Sequence, residues 1–99
     1  MTDNTDDSLA ERVERLHAAL EATEERPVEP AASRWIGEAQ AVAGDAGDIA
    51  ASGGTDAVVR ERVSHVAELL SNVEETGDEA ADERVATAKS LAEQIAAGE

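Results

Sequence analysis

The stretch TDAVVRERVSHVAELLSNVEETGD, residues 55–78, indicates the fold of this chain more directly than any other. Its apolar residues recur at alternating spacings of four and three, which places them on one face of a helix. These residues are Val59, Val63, Val66, Leu70 and Val73. Thr55 is a favoured N-cap residue, and the helix is predicted to end at Gly77. Because Asp78 then caps the next helix, the connection is very short and predicts a tight αα-hairpin of the third and fourth helices.

Three further segments carry apolar residues at the same spacing. In the first segment, Ser8 and Glu11 have the spacing of a capping box. The first helix is therefore predicted to begin at Asp7 or Ser8 and to end at Glu25. Its apolar stripe is Leu9, Val13, Leu16 and Leu20. Two prolines then interrupt the pattern, and the second of them, Pro30, can occupy the first turn of the next helix.

The second helix is the least regular of the four. Its predicted stripe is Trp35, Ala39, Val42, Ala46 and Ile49, with Ile36 and Ala43 beside it. Gly44 and Gly47 lie within the helix and cost about 1 kcal/mol each relative to alanine, so it is predicted to fray after Ala43. A flexible joint is predicted at 52–54. The fourth helix has the inward set Ala81, Val85, Ala88, Ala92 and Ile95.

These four helices predict an all-α fold, a compact four-helix bundle with up-and-down topology. Helices of about 20 residues are roughly 30 Å long and match one another in length. One domain is predicted over residues 1–99, with a disordered acidic N-terminus at 1–6. Alanine accounts for 21 of the 99 residues, so the core is expected to be thin and the stability marginal.

The charge of the chain is strongly negative, with 23 Asp and Glu against 8 Lys and Arg and a net charge of −15. Like charges repel within a Debye length of about 8 Å at physiological ionic strength, and that length falls to about 3 Å at molar salt. The composition, which has a single lysine and no cysteine, phenylalanine or tyrosine, resembles that of cytoplasmic proteins of salt-accumulating haloarchaea. The sequence therefore predicts a halophilic protein that folds at high salt.

The same inventory predicts the location and excludes two partner classes. The chain has no recognisable secretory signal and no apolar run of the roughly 20 residues that span a bilayer, so a soluble cytoplasmic protein without membrane contact is predicted. Affinity for phosphate comes from clustered Lys and Arg, and every helical segment is net negative. Direct nucleic-acid binding is therefore not expected.

Two Glu–His pairs define the alternative prediction, a metal-binding or enzymatic bundle. Glu14 and His17 have the i, i+3 spacing that di-iron bundles use, and Glu61 and His65 lie one helical turn apart. However, His17 falls about 40° outside the apolar stripe at about 100° per residue. With no cysteine and no serine in a G-x-S-x-G context, neither an enzyme nor a cofactor is predicted.

Two features favour protein interaction. Trp35 is the only aromatic residue, and tryptophan is enriched both in cores and at interface hot spots. Val58 and Leu69 widen the apolar face of the third helix to about 140°, beyond the roughly 100° that a globular helix needs. Arg60 flanks that face and Arg62 lies within it, so both can reach acidic side chains of a partner. The predicted interface residues are Trp35, Val58, Arg62 and Leu69.

These features predict a small protein-interaction or scaffolding module that forms a homodimer or binds an unidentified protein partner. The chain also resembles a small haloarchaeal family of unknown function. The resemblance lies in VRERVSHV (59–66), TGD (76–78) and AKSLAE (88–93), with ERPV (25–28) and SRW (33–35) in the same pattern. It implies a short helical cytoplasmic protein and lends no activity, so it assigns no site residue.

Overall fold

Four α-helices account for most of the structure. The structure, a computed structural model, describes residues 8–23 and 28–98. Its helices are α1 (Leu9–Thr23), α2 (Pro30–Ala51), α3 (Asp56–Leu70) and α4 (Glu79–Ala97), and the described residues form no strand. The all-α prediction is confirmed. The acidic tail predicted at 1–6 and the end of the first helix predicted at Glu25 lie outside the described residues.

Each helix packs against two neighbours, in the order α1, α2, α3, α4 and back to α1. A Cβ added to Gly44 would meet His17, and one added to Gly47 would meet Val13, so α2 runs antiparallel to α1. The chain from Ala51 to Asp56 reaches at most about 18 Å, which is less than the roughly 22 Å length of α3. Helix α3 must therefore run back along α2.

Arg60 joins the start of α3 to the end of α4. Its Nη1 donates a hydrogen bond of 2.6 Å to the carbonyl oxygen of Ile95, so these two helices are also antiparallel. The guanidinium thereby satisfies one of the last carbonyls of α4 at the negative end of that helix dipole. The up-and-down bundle is confirmed, and Arg60, which was predicted to reach a partner, is engaged within the chain instead.

The core is built from one apolar stripe on each helix. Its largest fully buried apolar side chains are Leu16, Leu20, Leu70 and Ile95. Alanine supplies seven of the eighteen buried apolar residues in the described chain, four on α2 and three on α4. Because alanine buries little area, the core is as thin as the composition predicted.

On α2 the buried stripe is displaced from the predicted one. The buried residues are Ala32, Ile36, Ala39, Ala43 and Ala46. Trp35, Val42 and Ile49, which were predicted as members of the stripe, lie at its edge and are only partly buried against the core. Large apolar side chains are therefore left at the surface of α2.

The helix starts agree closely with the sequence signals. Ser8 N–H donates to Glu11 Oε1 at 2.9 Å, and Glu11 N–H donates to Ser8 Oγ at 3.1 Å, which confirms the capping box. Thr55 Oγ1 accepts from Val58 N–H at 3.3 Å, as an N-cap does. Asp78 occupies the N-cap position of α4, but its side chain makes no capping hydrogen bond.

The prediction that the second helix frays after Ala43 is wrong, because α2 is unbroken over its 22 residues. Gly44 and Gly47 lie on the side of α2 that packs against α1. A Cβ on Gly44 would lie 3.6 Å from His17 Nε2, and one on Gly47 would lie 3.8 Å from Val13 Cγ1. The low helix propensity of the two glycines alone would favour fraying of α2. Packing against α1 stabilises the helical conformation at both positions.

The predicted flexible joint after α2 is a Schellman motif. Gly53 N–H donates to the Ala50 carbonyl oxygen at 3.3 Å, and Gly54 N–H donates to that of Ile49 at 2.8 Å. Gly53 has a φ of +88°, which favours glycine. A Cβ on Gly54 would overlap the Ile49 side chain and approach its carbonyl oxygen to 2.9 Å. The turn therefore has one defined conformation.

Helix α3 ends at Leu70, so the end predicted at Gly77 is wrong, and the connection to α4 has eight residues, 71–78. Ser71 Oγ and Asn72 Nδ2 donate to the Glu68 carbonyl oxygen at 2.6 and 3.1 Å. These side chains replace the backbone donor that the next helical turn would have supplied. Helices α3 and α4 still pack as neighbours.

Replacing Gly44 and Gly47 with alanine is expected to stabilise the bundle. A glycine within a helix costs roughly 1 kcal/mol relative to alanine, and both new methyl groups would meet α1 at ordinary van der Waals distances. Urea unfolding of the double variant should give a free energy of unfolding about 1.5 kcal/mol higher than that of the wild type.

Two further variants separate propensity from packing. Gly37→Ala reports propensity alone, because a Cβ there has nothing within 4 Å. Gly53→Ala should destabilise the protein, because its φ is positive. If the double variant were less stable than the wild type while Gly37→Ala was more stable, α1 would pack on α2 too closely for a methyl group.

Candidate functional site

The two Glu–His pairs of the metal-binding alternative lie apart. Glu14 is exposed on α1, whereas Glu61 and His65 are exposed on α3. Helices α1 and α3 are diagonal in the bundle and are not among each other's packed neighbours. In the part of the chain that the structure describes, no group of three or more His, Cys, Asp or Glu is placed to hold a metal ion. The structure does not bring the two pairs together.

His17 lies at the boundary between α1 and α2. Its Nδ1 is 3.9 Å from Glu21 Oε1, and its side chain is 33% exposed. Its Nε2 faces Gly44 of α2. This position agrees with the offset of His17 from the apolar stripe of its helix and leaves its ring nitrogens outside the core.

The second pair belongs to a shallow depression on the surface of α3. Its lining residues are Glu61, Arg62, Ser64, His65 and Glu68, all from one helix and all exposed. The Arg62 guanidinium adds a positive charge to this group, which opposes binding of a further cation. The depression therefore has the character of a solvated helix surface.

The predicted interface residues of α3 share one side of that helix. Arg60 marks the side that faces α4, because it bonds the Ile95 carbonyl oxygen. At about 100° per residue, Val58, Arg62 and Leu69 fall on the opposite side of the buried stripe. That side faces α2, the other neighbour of α3.

The partly buried residues of α2 point towards the same groove. Gly44 and Gly47 mark the side of α2 that faces α1. At about 100° per residue, Trp35, Val42 and Ile49 fall on the opposite side of the buried stripe, which faces α3. We call the surface formed by Val42, Ile49, Val58 and Arg62 the α2–α3 face.

Exposure differs sharply among the predicted interface residues. Val58 is 41% exposed, more than any other large apolar residue in the described ranges, whereas Leu69 is 7% exposed and belongs to the core. The apolar surplus expected on the third helix is therefore smaller, because Leu69 is part of the core. Arg62 is exposed, and no carboxylate among the described residues lies within 4 Å of its guanidinium.

Trp35 lies at the other end of the groove, where it is partly buried against the core. It lines a cleft of about 330 Å³ between the start of α2 and the connection 71–78. The cleft is also lined by Glu29, Asn72, Val73, Glu74, Glu75 and two alanines of α2. We call this the Trp35 cleft. The indole therefore packs against the edge of the core and also lines the open cleft.

A buried polar network holds one wall of the Trp35 cleft. Thr76 is fully buried, and its N–H and hydroxyl both donate to Asp82 Oδ1 at 2.7 Å. Its Oγ1 accepts from Asp78 N–H at 3.1 Å, and its carbonyl oxygen accepts from Glu29 N–H at 2.7 Å. This network was not predicted, because Thr76 and Asp82 lie six residues apart and no capping motif has that spacing.

Comparison with known proteins identifies the family but no activity. Residues 12–99 match a family model described as a domain of unknown function (DUF8152), so the chain belongs to that family. No curated protein and no solved structure matches it. None of the described helices has the length and apolar character needed to cross a membrane.

Proposed function

We propose that this family member is a protein-interaction module of a halophilic cytoplasm, and that it pairs with a second copy of itself through the α2–α3 face. The observation that carries the proposal is the 41% exposure of Val58. Val58 flanks the same groove as Val42 and Ile49, which are partly buried. An apolar strip at the surface of an otherwise highly charged protein is typical of an interaction site.

A twofold axis across this face would also bring opposite charges together. Arg62 is exposed on α3, and Glu38 and Asp45 are exposed on the outer surface of α2 next to Val42. In a twofold contact each copy presents the same patch, so Arg62 of one copy can meet the α2 carboxylates of the other. Rim pairs of this kind set orientation more than they add affinity.

The charge of the chain makes this pairing depend on salt. Each copy carries a net charge of −15, and at low ionic strength two such copies repel each other over a Debye length of about 30 Å at 0.01 M. At molar salt that length is about 3 Å, so apolar contact can outweigh repulsion. The acidic composition thus supports both a haloarchaeal cytoplasm and a dimer that forms there.

Light scattering at about 2 M KCl tests the proposed dimer. The wild type is expected to be a dimer, and Val58→Glu is expected to be a folded monomer because it puts a carboxylate at the most exposed apolar residue of the α2–α3 face. The charge-matched control is Ala86→Glu, at an exposed position of α4, which should remain dimeric. Arg62→Glu should weaken the dimer without abolishing it.

Circular dichroism of each variant separates loss of pairing from loss of folding. A monomeric wild type would contradict the proposal, and so would a Val58→Glu variant that dimerises as tightly as Ala86→Glu. Val58→Ser provides a milder change at the same position and should shift the monomer–dimer equilibrium in the same direction.

A further inference from the structure

We infer that the Trp35 cleft binds the guanidinium group of an arginine side chain on a partner polypeptide. This site goes beyond the proposed self-association. Trp35 precedes Ile49 by about 21 Å along α2, so the cleft lies at the opposite end of the groove from Val58. A partner can therefore occupy the cleft whether or not the α2–α3 face is paired.

The aromatic wall of the cleft suits a planar cation. A guanidinium stacks on an indole through cation–π and dispersion contacts, and tryptophan provides the strongest such surface. Trp35 is packed on one side against the core and lines the cleft with another part of its surface. The ring is thus already held in position, so little side-chain entropy is lost on binding.

The charge of the cleft also selects a cation. Glu29, Glu74 and Glu75 line it, and none of its described lining residues is basic. Their side chains have no hydrogen-bond or ion-pair partner among the described residues, and Glu29 makes no capping bond to α2. The dipole at the start of α2 adds roughly half a positive charge, which offsets only a small part of three carboxylates.

The wall that carries Glu29 is fixed in place. Glu29 N–H bonds the Thr76 carbonyl oxygen, and the Glu29 Cγ lies 3.1 Å from the position that a Cβ on Gly77 would occupy. Gly77 has a φ of +87°. The absence of a side chain at Gly77 lets Glu29 lie across the connection beside Trp35, in a cleft formed before any ligand arrives.

The depression between α1 and α4 lacks the combination of an aromatic ring and unpaired carboxylates that lines the Trp35 cleft. Its lining residues are Ala19, Ala80, Glu83, Arg84 and Thr87. It has no aromatic ring, and Arg84 already supplies a cation. Of these three depressions, only the Trp35 cleft combines an aromatic ring with carboxylates that have no partner among the described residues.

The experiment uses Trp35 as its own reporter, because the chain has no other aromatic residue. N-acetylarginine amide is titrated into the full chain at about 1 M KCl, and the indole emission and the indole N–H NMR resonance are followed. Both signals are expected to change and saturate. N-acetylcitrulline amide, which has a similar shape but no charge, should cause no saturable change. Nα-acetyllysine amide, which keeps its charged ammonium group, should bind more weakly than the arginine amide because an ammonium group cannot stack on the indole.

Two charge-matched double variants test the carboxylates. Glu74→Gln with Glu75→Gln should weaken arginine binding about fivefold, as expected for two exposed pairs. Glu61→Gln with Glu68→Gln removes the same charge from the outer surface of α3 and should leave binding unchanged. Equal responses to arginine and citrulline, equal binding of arginine and lysine, or equal losses in the two double variants would overturn the inference. Val58→Glu should bind the arginine amide as the wild type does, so failure of the dimer and failure of this site are distinguishable.

Discussion

The melting temperature of this protein is expected to rise by about 15 °C between roughly 0.1 M and 2 M KCl, with a parallel gain in helical circular dichroism. The net charge is −15, and each of the four helices is itself net negative. Packing them together therefore brings like charges close, and a core in which seven of eighteen buried apolar residues are alanine has little area with which to oppose this. Screening of about 3 kcal/mol of repulsion would give a shift of this size.

Charge reversal at exposed positions separates screening from a general effect of salt on apolar burial. The triple variant Glu14→Lys, Glu38→Lys and Glu68→Lys changes exposed side chains on three different helices. It should melt higher than the wild type at about 0.1 M KCl and show a smaller rise towards 2 M. A wild type with the same melting temperature at both concentrations would contradict the halophilic interpretation. A triple variant with an undiminished salt response would attribute the rise to the apolar core instead.

Local signals in the sequence predicted the helices well where neighbouring residues decide the structure. The capping box of Ser8 and Glu11, the N-cap at Thr55 and the helix start at Pro30 all depend on contacts within one turn, and all are present. Most inward residues of the first, third and fourth helices were also predictable from apolar period. The exceptions are Leu9 and Val73, which are only partly buried, and Leu69, which belongs to the core. Up-and-down topology then followed from the short connections.

The errors in the fold arose where a side chain or another helix overrides the local pattern. Period and propensity gave no reason to end α3 before Val73, yet Ser71 and Asn72 take the Glu68 carbonyl oxygen and end the helix at Leu70. Conversely, propensity predicted a frayed second helix, but packing against α1 keeps it intact. Neither outcome is encoded in the apolar spacing.

The candidate surfaces were only partly predictable for a related reason. A helical wheel shows how wide an apolar face is, but not how much of it two neighbouring helices cover. Leu69 and Val58 therefore looked equivalent in the sequence, although one is buried and the other exposed. The Trp35 cleft combines residues near the start of α2 with the connection 71–78, and no motif links segments so far apart in the chain.

Replacing Asp82 with alanine is expected to lower the free energy of unfolding by about 3 kcal/mol, because it leaves the buried Thr76 N–H without an acceptor and takes the carboxylate away from the hydroxyl. The hydroxyl keeps only the Asp78 carbonyl oxygen, at 2.9 Å, as an acceptor. The Thr76 N–H and hydroxyl both end on Asp82 Oδ1 at 2.7 Å, and Thr76 is fully buried. Hydrogen bonds to a carboxylate are stronger than neutral ones. In a protein of this size the melting temperature should fall by roughly 12–24 °C. Asp45→Ala, at an exposed position of α2, corrects for the benefit of removing one negative charge.

The partner variant Thr76→Val identifies the network as the cause. It removes the hydroxyl, retains the shape of the side chain and should cost about 2 kcal/mol. Both variants break the bond between the Thr76 hydroxyl and Asp82. The free energy of unfolding lost in the double variant should therefore be at least about 1 kcal/mol smaller than the sum of the losses in the two single variants. Additive losses, or an Asp82→Ala variant as stable as Asp45→Ala, would contradict this.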